Sequence, residues 1–390
     1  MFPTLINRIC NRYRYHTHPE ALLVACFFNP QRSPYRLLAF HHWYRSIKHM
    51  PHQILECTIG EDTTRQLPAS AFISHVHVPQ LLWHKETLLN KLIATLPRQY
   101  RYVFWVDTDV LFTNPQWLTQ SVAQLQADAT IVQPFEFAVH LRRHQMQPNF
   151  AVEHWPAGVV PTNRHPRVWR SFAATYAQHA ALAAETNYDR HGHVGFAWGI
   201  RREILDTHLL YDKALIGGAD HIMAHAAAGH IPHPCIDAAF PQQLPDILQW
   251  SSAFYASVRG RISYAPGDLY HLWHGALRKR QYFSRIHAFD HAHRDVFRDA
   301  EGFWVDPTED TYVEQYFEER EAEGVADYQG YDASFEHDMG YPLEALCPPL
   351  PLDTTDSMID QTPGVWDGPP DPVPLREDAL SDGTMGSTFS

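Results

Sequence analysis

Four short apolar runs, set among helix-like segments in the first 135 residues, constrain this 390-residue chain most. Ala21–Phe28 (ALLVACFF) reads as a buried strand ended by Asn29-Pro30, and Tyr102–Val106 (YVFWV) is apolar without a break. Ile54–Ile59 and Thr130–Gln133 read as two further strands. Between them, Tyr35 to His49 and Leu81 to Leu96 carry bulky residues at helical spacing, and Pro97 stops the second. A strand that is apolar at every position is covered on both faces, and intervening helices supply the cover. The expectation is an α/β fold: a mostly parallel, Rossmann-like sheet flanked by helices. A short strand, Phe196–Ile200, and short helices at Arg201–Leu205 and Asp220–Ala228 continue it.

The charge is uneven. Residues 301–390 hold 22 acids and 2 bases, whereas residues 1–300 hold 22 acids and 29 bases. A basic body suits a polyphosphate ligand. The acidic end argues against nucleic acid as a partner, because it would repel the backbone. From about Pro348 the chain is rich in Pro and Asp without apolar periodicity, which predicts a disordered acidic tail over residues 348–390. The folded part is then 1–347, with a nucleotide half at about 15–135 and an acceptor and metal half at 136–290. No apolar run approaches the roughly 20 residues that span a bilayer. The N-terminus lacks a secretion signal. The five cysteines (Cys10, Cys26, Cys57, Cys235, Cys347) show neither CxxC spacing nor a disulfide framework. A cytoplasmic protein without a transmembrane segment is expected.

The chemistry concentrates at Phe104-Trp105-Val106-Asp107-Thr108-Asp109-Val110-Leu111-Phe112. An apolar strand runs straight into two acids one residue apart. Ligands of open α/β sheets bind beyond the carboxyl ends of strands, where these acids fall. A nucleotide diphosphate needs a divalent cation, and Mg²⁺ or Mn²⁺ prefers carboxylate oxygen. A solvated turn, or Asp109 capping the next helix, explains the same residues without function.

Trp83-His84-Lys85-Glu86 with Asn90-Lys91, followed by YVFWVDTDVLF, resembles the donor half of GT-A fold, DxD-containing glycosyltransferases. Gly195-Phe196-Ala197-Trp198-Gly199, Arg201-Arg202-Glu203, Leu210-Tyr211-Asp212 and Gly217-Gly218-Ala219-Asp220 then follow in order. This is similar to the C-terminal motif region of β-1,4-galactosyltransferase-like enzymes. Those enzymes carry several consecutive acids after the glycines; here Asp220 is followed by His221.

The resemblance covers roughly residues 80–285 and implies a GT-A-like fold and a metal-dependent transfer from a UDP- or GDP-sugar. The acceptor would be a glycan, a lipid-linked molecule or a protein. It implies a late metal-binding histidine, for which His271 and His274 stand ready with Asp107 and Asp109. Lys85, Arg32, Lys279 and Arg280, together with Asp107, are the expected nucleotide contacts. Trp198 and Gly218 fall on the acceptor side. Asp220 is the expected base, which implies inversion; capping of the following helix would explain it as well. Lys85 reads equally as a solvated helix residue, and Trp198 as core. Two rivals remain. A sugar-phosphate nucleotidyltransferase needs a Gly-rich loop after the first strand, and Asn29-Pro30-Gln31-Arg32-Ser33-Pro34 has no glycine. A non-catalytic carbohydrate-binding protein could keep the same fold.

Overall fold

The structure is a computed structural model describing residues 14–143, 145, 168–186, 188–275, 277–281, 284–290, 295–308 and 311–326. The acidic tail and residues 146–167 lie outside the described residues. Eleven strands build its two main sheets: β1 Ala21–Phe28, β2 His52–Ile59, β3 Ile73–Val78, β4 Tyr102–Val106, β5 Val110–Phe112, β6 Ile131–Gln133, β7 Phe137–His140, β8 Val168–Arg170, β9 Ala197–Arg201, β10 Ile262–Tyr264 and β11 Asp268–His271. Seven of them form the large sheet in the order β10-β6-β9-β4-β1-β2-β3. Only β9 runs against its neighbours, β4 and β6; the other four pairings are parallel. The mostly parallel α/β architecture is the one the sequence predicts. The chain steps outward from β1 to β3, then returns to place β4 on the other side of β1. Such a switch point opens a crevice at the carboxyl ends of the strands.

Side chains of the central strands alternate between two cores. Leu22, Val24, Val103 and Trp105 face one side, against Leu88, Leu89, Leu92 and Ile93 of the helix Lys85–Thr95. Ala21, Leu23, Phe104 and Val106 face the other, against Phe40 and Trp43 of the helix Pro34–Ile47 and Trp117, Leu118 and Val122 of the helix Trp117–Ala127. A strand sends successive side chains to opposite faces, so an unbroken apolar run is what a sheet covered on both sides demands.

The second sheet runs β5-β11-β7-β8. None of its strands exceeds four residues, which is why local pattern alone did not reveal them. The helices Leu244–Val258 and Tyr312–Ala326 were not expected either. No helix among the described residues is long and apolar enough to cross a membrane.

Gly199 of β9 lies opposite Phe104 of β4, and a Cβ there would sit 2.1 Å from the Phe104 ring. Both residues are at the centre of the sheet, so neither strand can yield. Gly199→Ala is expected to lower folding stability by about 1–3 kcal/mol, the usual cost of overpacking. Chemical denaturation measures it; an unchanged midpoint would show that the Phe104 ring has room to turn.

Candidate metal and nucleotide site

The chain leaves the large sheet at the end of β4 and enters the small one at β5, and Asp107, Thr108 and Asp109 make that crossing. Both ends of the turn are fixed by backbone. Asp107 N–H donates to the Phe196 carbonyl at 2.7 Å, and the Asp109 carbonyl accepts from Leu272 N–H at 2.8 Å. Phe196 adopts φ +79°, a region that non-glycine residues rarely occupy. Its ring stacks on His193 and His271 at centroid distances of 4.1 and 4.9 Å, which supplies packing to hold the strained backbone.

Antiparallel pairing of β11 with β5 sets His271 opposite Val110, one residue beyond Asp109. Asp109 Oδ2 lies 2.8 Å from His274 Nε2 and 3.5 Å from His271 Nε2. One ligand atom from each of the three residues falls within 4.8 Å of the other two. Both imidazoles are at most 3% exposed. Asp109 Oδ1 is buried with no hydrogen-bond partner among the described residues. A buried carboxylate oxygen without a donor is costly unless a cation meets it. The set of one carboxylate and two imidazoles therefore fits a divalent ion such as Mn²⁺.

Burial acts to raise the Asp109 pKa, but His271 and His274 more than offset it and hold the carboxyl well below its usual range. Burial lowers both histidines, helped by Arg280 and Arg36. These directions compete, since a protonated imidazole would be needed to depress Asp109 by charge. Arg280 supplies a fixed positive charge beside an ionised Asp109, and because a guanidinium only donates, each neutral ring's Nε2 either accepts from Arg280 or donates to Asp109, not both. Arg280 Nη2 is 3.1 Å from His271 Nε2 and 2.8 Å from His274 Nε2.

Asp107 is placed differently. It is absent from the Asp109–His271–His274 group and instead forms an ion pair with Lys85 Nζ at 2.8 Å. The same ammonium lies 3.2 Å from Asp220 Oδ2. Lys85 opens the helix Lys85–Thr95, where the positive end of the helix dipole disfavours a cation, and it is only 9% exposed. The solvated-residue reading of Lys85 is thereby excluded. Burial would lower its pKa, but Asp107, Asp220 and Glu86 carry it well above the usual value. Burial, with Asp109 and Asp220 nearby, pushes Asp107 up to about 6. Glu86, which sequence reasoning did not single out, is pushed by burial up to about 8.

Asp220 does not cap its helix. The helix is Ala219–Ala228, and Gly218, at φ +100°, occupies the N-cap position. The backbone there requires glycine; a Cβ on Gly218 would also meet Phe240 at 2.8 Å. The capping account of Asp220 therefore fails, and its carboxylate faces the cleft.

That cleft is lined by Lys85, Asp107, Asp109, Gly218, Asp220 and Arg280, brought together from four separate stretches of chain. Arg36, Arg285 and Arg320 join them, and no local pattern pointed to Arg36 or Arg320. Arg36 pairs with Glu321 at 2.7 Å, and the Arg285 and Arg320 guanidinium groups lie over the Trp83 ring at 5.2 and 5.3 Å.

Three expected residues fall elsewhere. Trp198 is 0% exposed, packs in the core and donates its indole N–H to Val194 O, so it has no face for a sugar. Arg32 is half exposed, pairs with Asp62 at 2.8 Å and does not line the cleft. Neither does Lys279. Trp198 is corrected to a core residue, and Arg32 and Lys279 drop out of the nucleotide contacts.

No family model matches this sequence, and no curated protein matches it. Among solved structures, the glucosyl-3-phosphoglycerate synthase of Mycobacterium tuberculosis in complex with Mn²⁺ and UDP-glucose aligns at a TM-score of 0.37 and 11% identity, over 77% of this chain and 90% of that one. Mannosyl-3-phosphoglycerate synthase from Rubrobacter xylanophilus aligns at 0.33 and 12%, over 77% and 87%. The catalytic domain of Drosophila β1,4-galactosyltransferase 7 with xylobiose aligns at 0.24 and 12%, over 54% and 59%. Similarity this low carries no argument for this chain; its residues must.

Proposed function

We propose that this protein is a metal-dependent glycosyltransferase that takes a sugar from a nucleotide diphosphate donor, UDP- or GDP-linked, and passes it to an acceptor hydroxyl with inversion. The observation that carries the proposal is the convergence of Asp109, His271 and His274 at the carboxyl end of β4, beside a cleft lined by Lys85 and four arginines. Carboxylate and imidazole suit Mn²⁺ or Mg²⁺; guanidinium groups suit phosphate oxygens. A bound ion neutralises the diphosphate and stabilises its departure. Arg36, Arg280, Arg285 and Arg320 orient the phosphates. Asp107, tied to Lys85, lies on the ribose side. Asp220 reaches the cleft from the opposite element and receives the proton of the attacking hydroxyl. Lys85 touches both carboxylates and sets their spacing.

UDP or GDP should raise the melting temperature in the presence of Mn²⁺ and much less with EDTA, since a ligand of the folded state stabilises it by mass action. If neither nucleotide shifts the transition with metal present, the donor site is wrongly assigned.

A further inference from the structure

A second group of metal-ligand side chains shares no residue with the Asp109 group, although His221 also lines the cleft. His221 and His225 stand one turn apart on the helix Ala219–Ala228, so both project from one face. His191 ends the helix Tyr188–His191, and His233 and Cys235 flank the start of the helix Pro234–Ala239. One ligand atom each from His191, His221 and His225 falls within 4.8 Å of the others, and the same holds for His225, His233 and Cys235. Cys235 Sγ is 3.3 Å from His221 Nε2, 4.0 Å from His225 Nε2 and 2.8 Å from His233 Nδ1. The four imidazoles are at most 8% exposed.

We propose that these side chains form a structural zinc site, distinct from the Asp109 centre, with Cys235 and His225 among its four ligands. Three features carry the assignment. The first is spacing. Zinc bonds of about 2.3 Å to sulfur and 2.0 Å to nitrogen give a tetrahedral S–N edge of about 3.5 Å, which the 3.3 and 4.0 Å separations to His221 and His225 bracket, whereas the 2.8 Å to His233 Nδ1 is the length of a thiol–imidazole hydrogen bond. The second is the orientation of the outer ring nitrogens. His191 Nδ1 faces Gly192 O at 2.9 Å and His233 Nε2 faces Ala184 O at 2.9 Å. A carbonyl only accepts, so those nitrogens carry the protons. The opposite nitrogen of each ring then offers a lone pair, the usual arrangement behind a zinc-bound histidine. The third is composition. The group contains no carboxylate, and a thiol with imidazoles selects zinc over Mg²⁺ or Mn²⁺.

Zinc displaces the Cys235 proton, which leaves as one H⁺ to solvent, and forms the Zn–S bond. The ion would tie together three helices behind Asp220 and Gly218.

Co²⁺ distinguishes this site from the other, because only a thiolate ligand gives the intense near-ultraviolet sulfur-to-cobalt absorption. The full-length chain, stripped of metal and titrated with Co²⁺, is expected to show that band and to lose it in Cys235→Ser. Stoichiometric Zn²⁺ should quench it. If Cys235→Ser does not fold, His225→Asn serves: it keeps the thiol and should weaken Co²⁺ binding at least about 10-fold. Absence of the band in the wild-type chain, its survival in folded Cys235→Ser, or unchanged affinity in His225→Asn overturns the proposal.

Discussion

Asp109→Asn is expected to abolish metal-dependent nucleotide binding while leaving the fold in place. The substitution keeps size and removes the charge proposed to meet a cation beside His271 and His274. Loss of a buried charge-assisted contact of roughly 3 kcal/mol weakens affinity by about 100-fold. Asp220→Asn should behave in the opposite way. Its carboxylate is outside the Asp109 group and contacts Lys85, so nucleotide affinity with Mn²⁺ should be nearly unchanged. Transfer to acceptor should fall by roughly 10²-fold or more if Asp220 is the base. Nucleotide titration, melting temperature and transfer rate measured on both variants separate the two roles. Full transfer by Asp220→Asn would remove the case for inversion and leave the metal site standing. Full nucleotide affinity in Asp109→Asn would remove the metal site itself.

Through His42 and His84 the protein is also expected to lose stability as pH falls from about 6.5 towards 4, against the opposite contribution of Asp107 and Glu86, whose raised pKa values favour the folded state on acidification. His42 and His84 are 8% and 2% exposed, and burial lowers both pKa values from the ordinary 6.5 to about 4. Between those values the unfolded chain takes up protons that the folded one refuses. Stability is therefore fully present above about 6.5 and declines on acidification, by up to about 3 kcal/mol for each such histidine at pH 4. Two of them approach the entire stability of a typical domain, about 5–15 kcal/mol. Urea unfolding at a series of pH values measures the slope, and His42→Gln should flatten it. The same slope in the wild type and in His42→Gln would show that the His42 ring accepts its proton in the folded state.

Much of the framework was legible from sequence because it is written locally. The unbroken apolar runs at β1 and β4 announced strands covered on both faces, and the acids after β4 fell where a parallel sheet places ligands. Gly217-Gly218 marked a turn into a helix, and the helix begins there. Local pattern also misled. Trp198, suggested as a sugar platform, is core because β9 threads between β4 and β6. The helix Tyr312–Ala326 was hidden in an acidic stretch, yet it delivers Arg320 to the cleft. Cysteine spacing could not suggest the proposed zinc site, since Cys235 meets His221 and His225 of another helix.

The sequence by itself determined five of the seven strands of the large sheet, missing β3 and β10, and which acids end β4. It did not determine what meets those acids. His271 reaches Asp109 only because β11 pairs with β5, more than 150 residues earlier in the chain. Lys85 becomes a buried bridge only because its helix start faces both Asp107 and Asp220. Strand and helix signals arise from interactions within a few residues, which a linear pattern records. The site arises from pairings between distant segments, whose register depends on the burial of both partners at once.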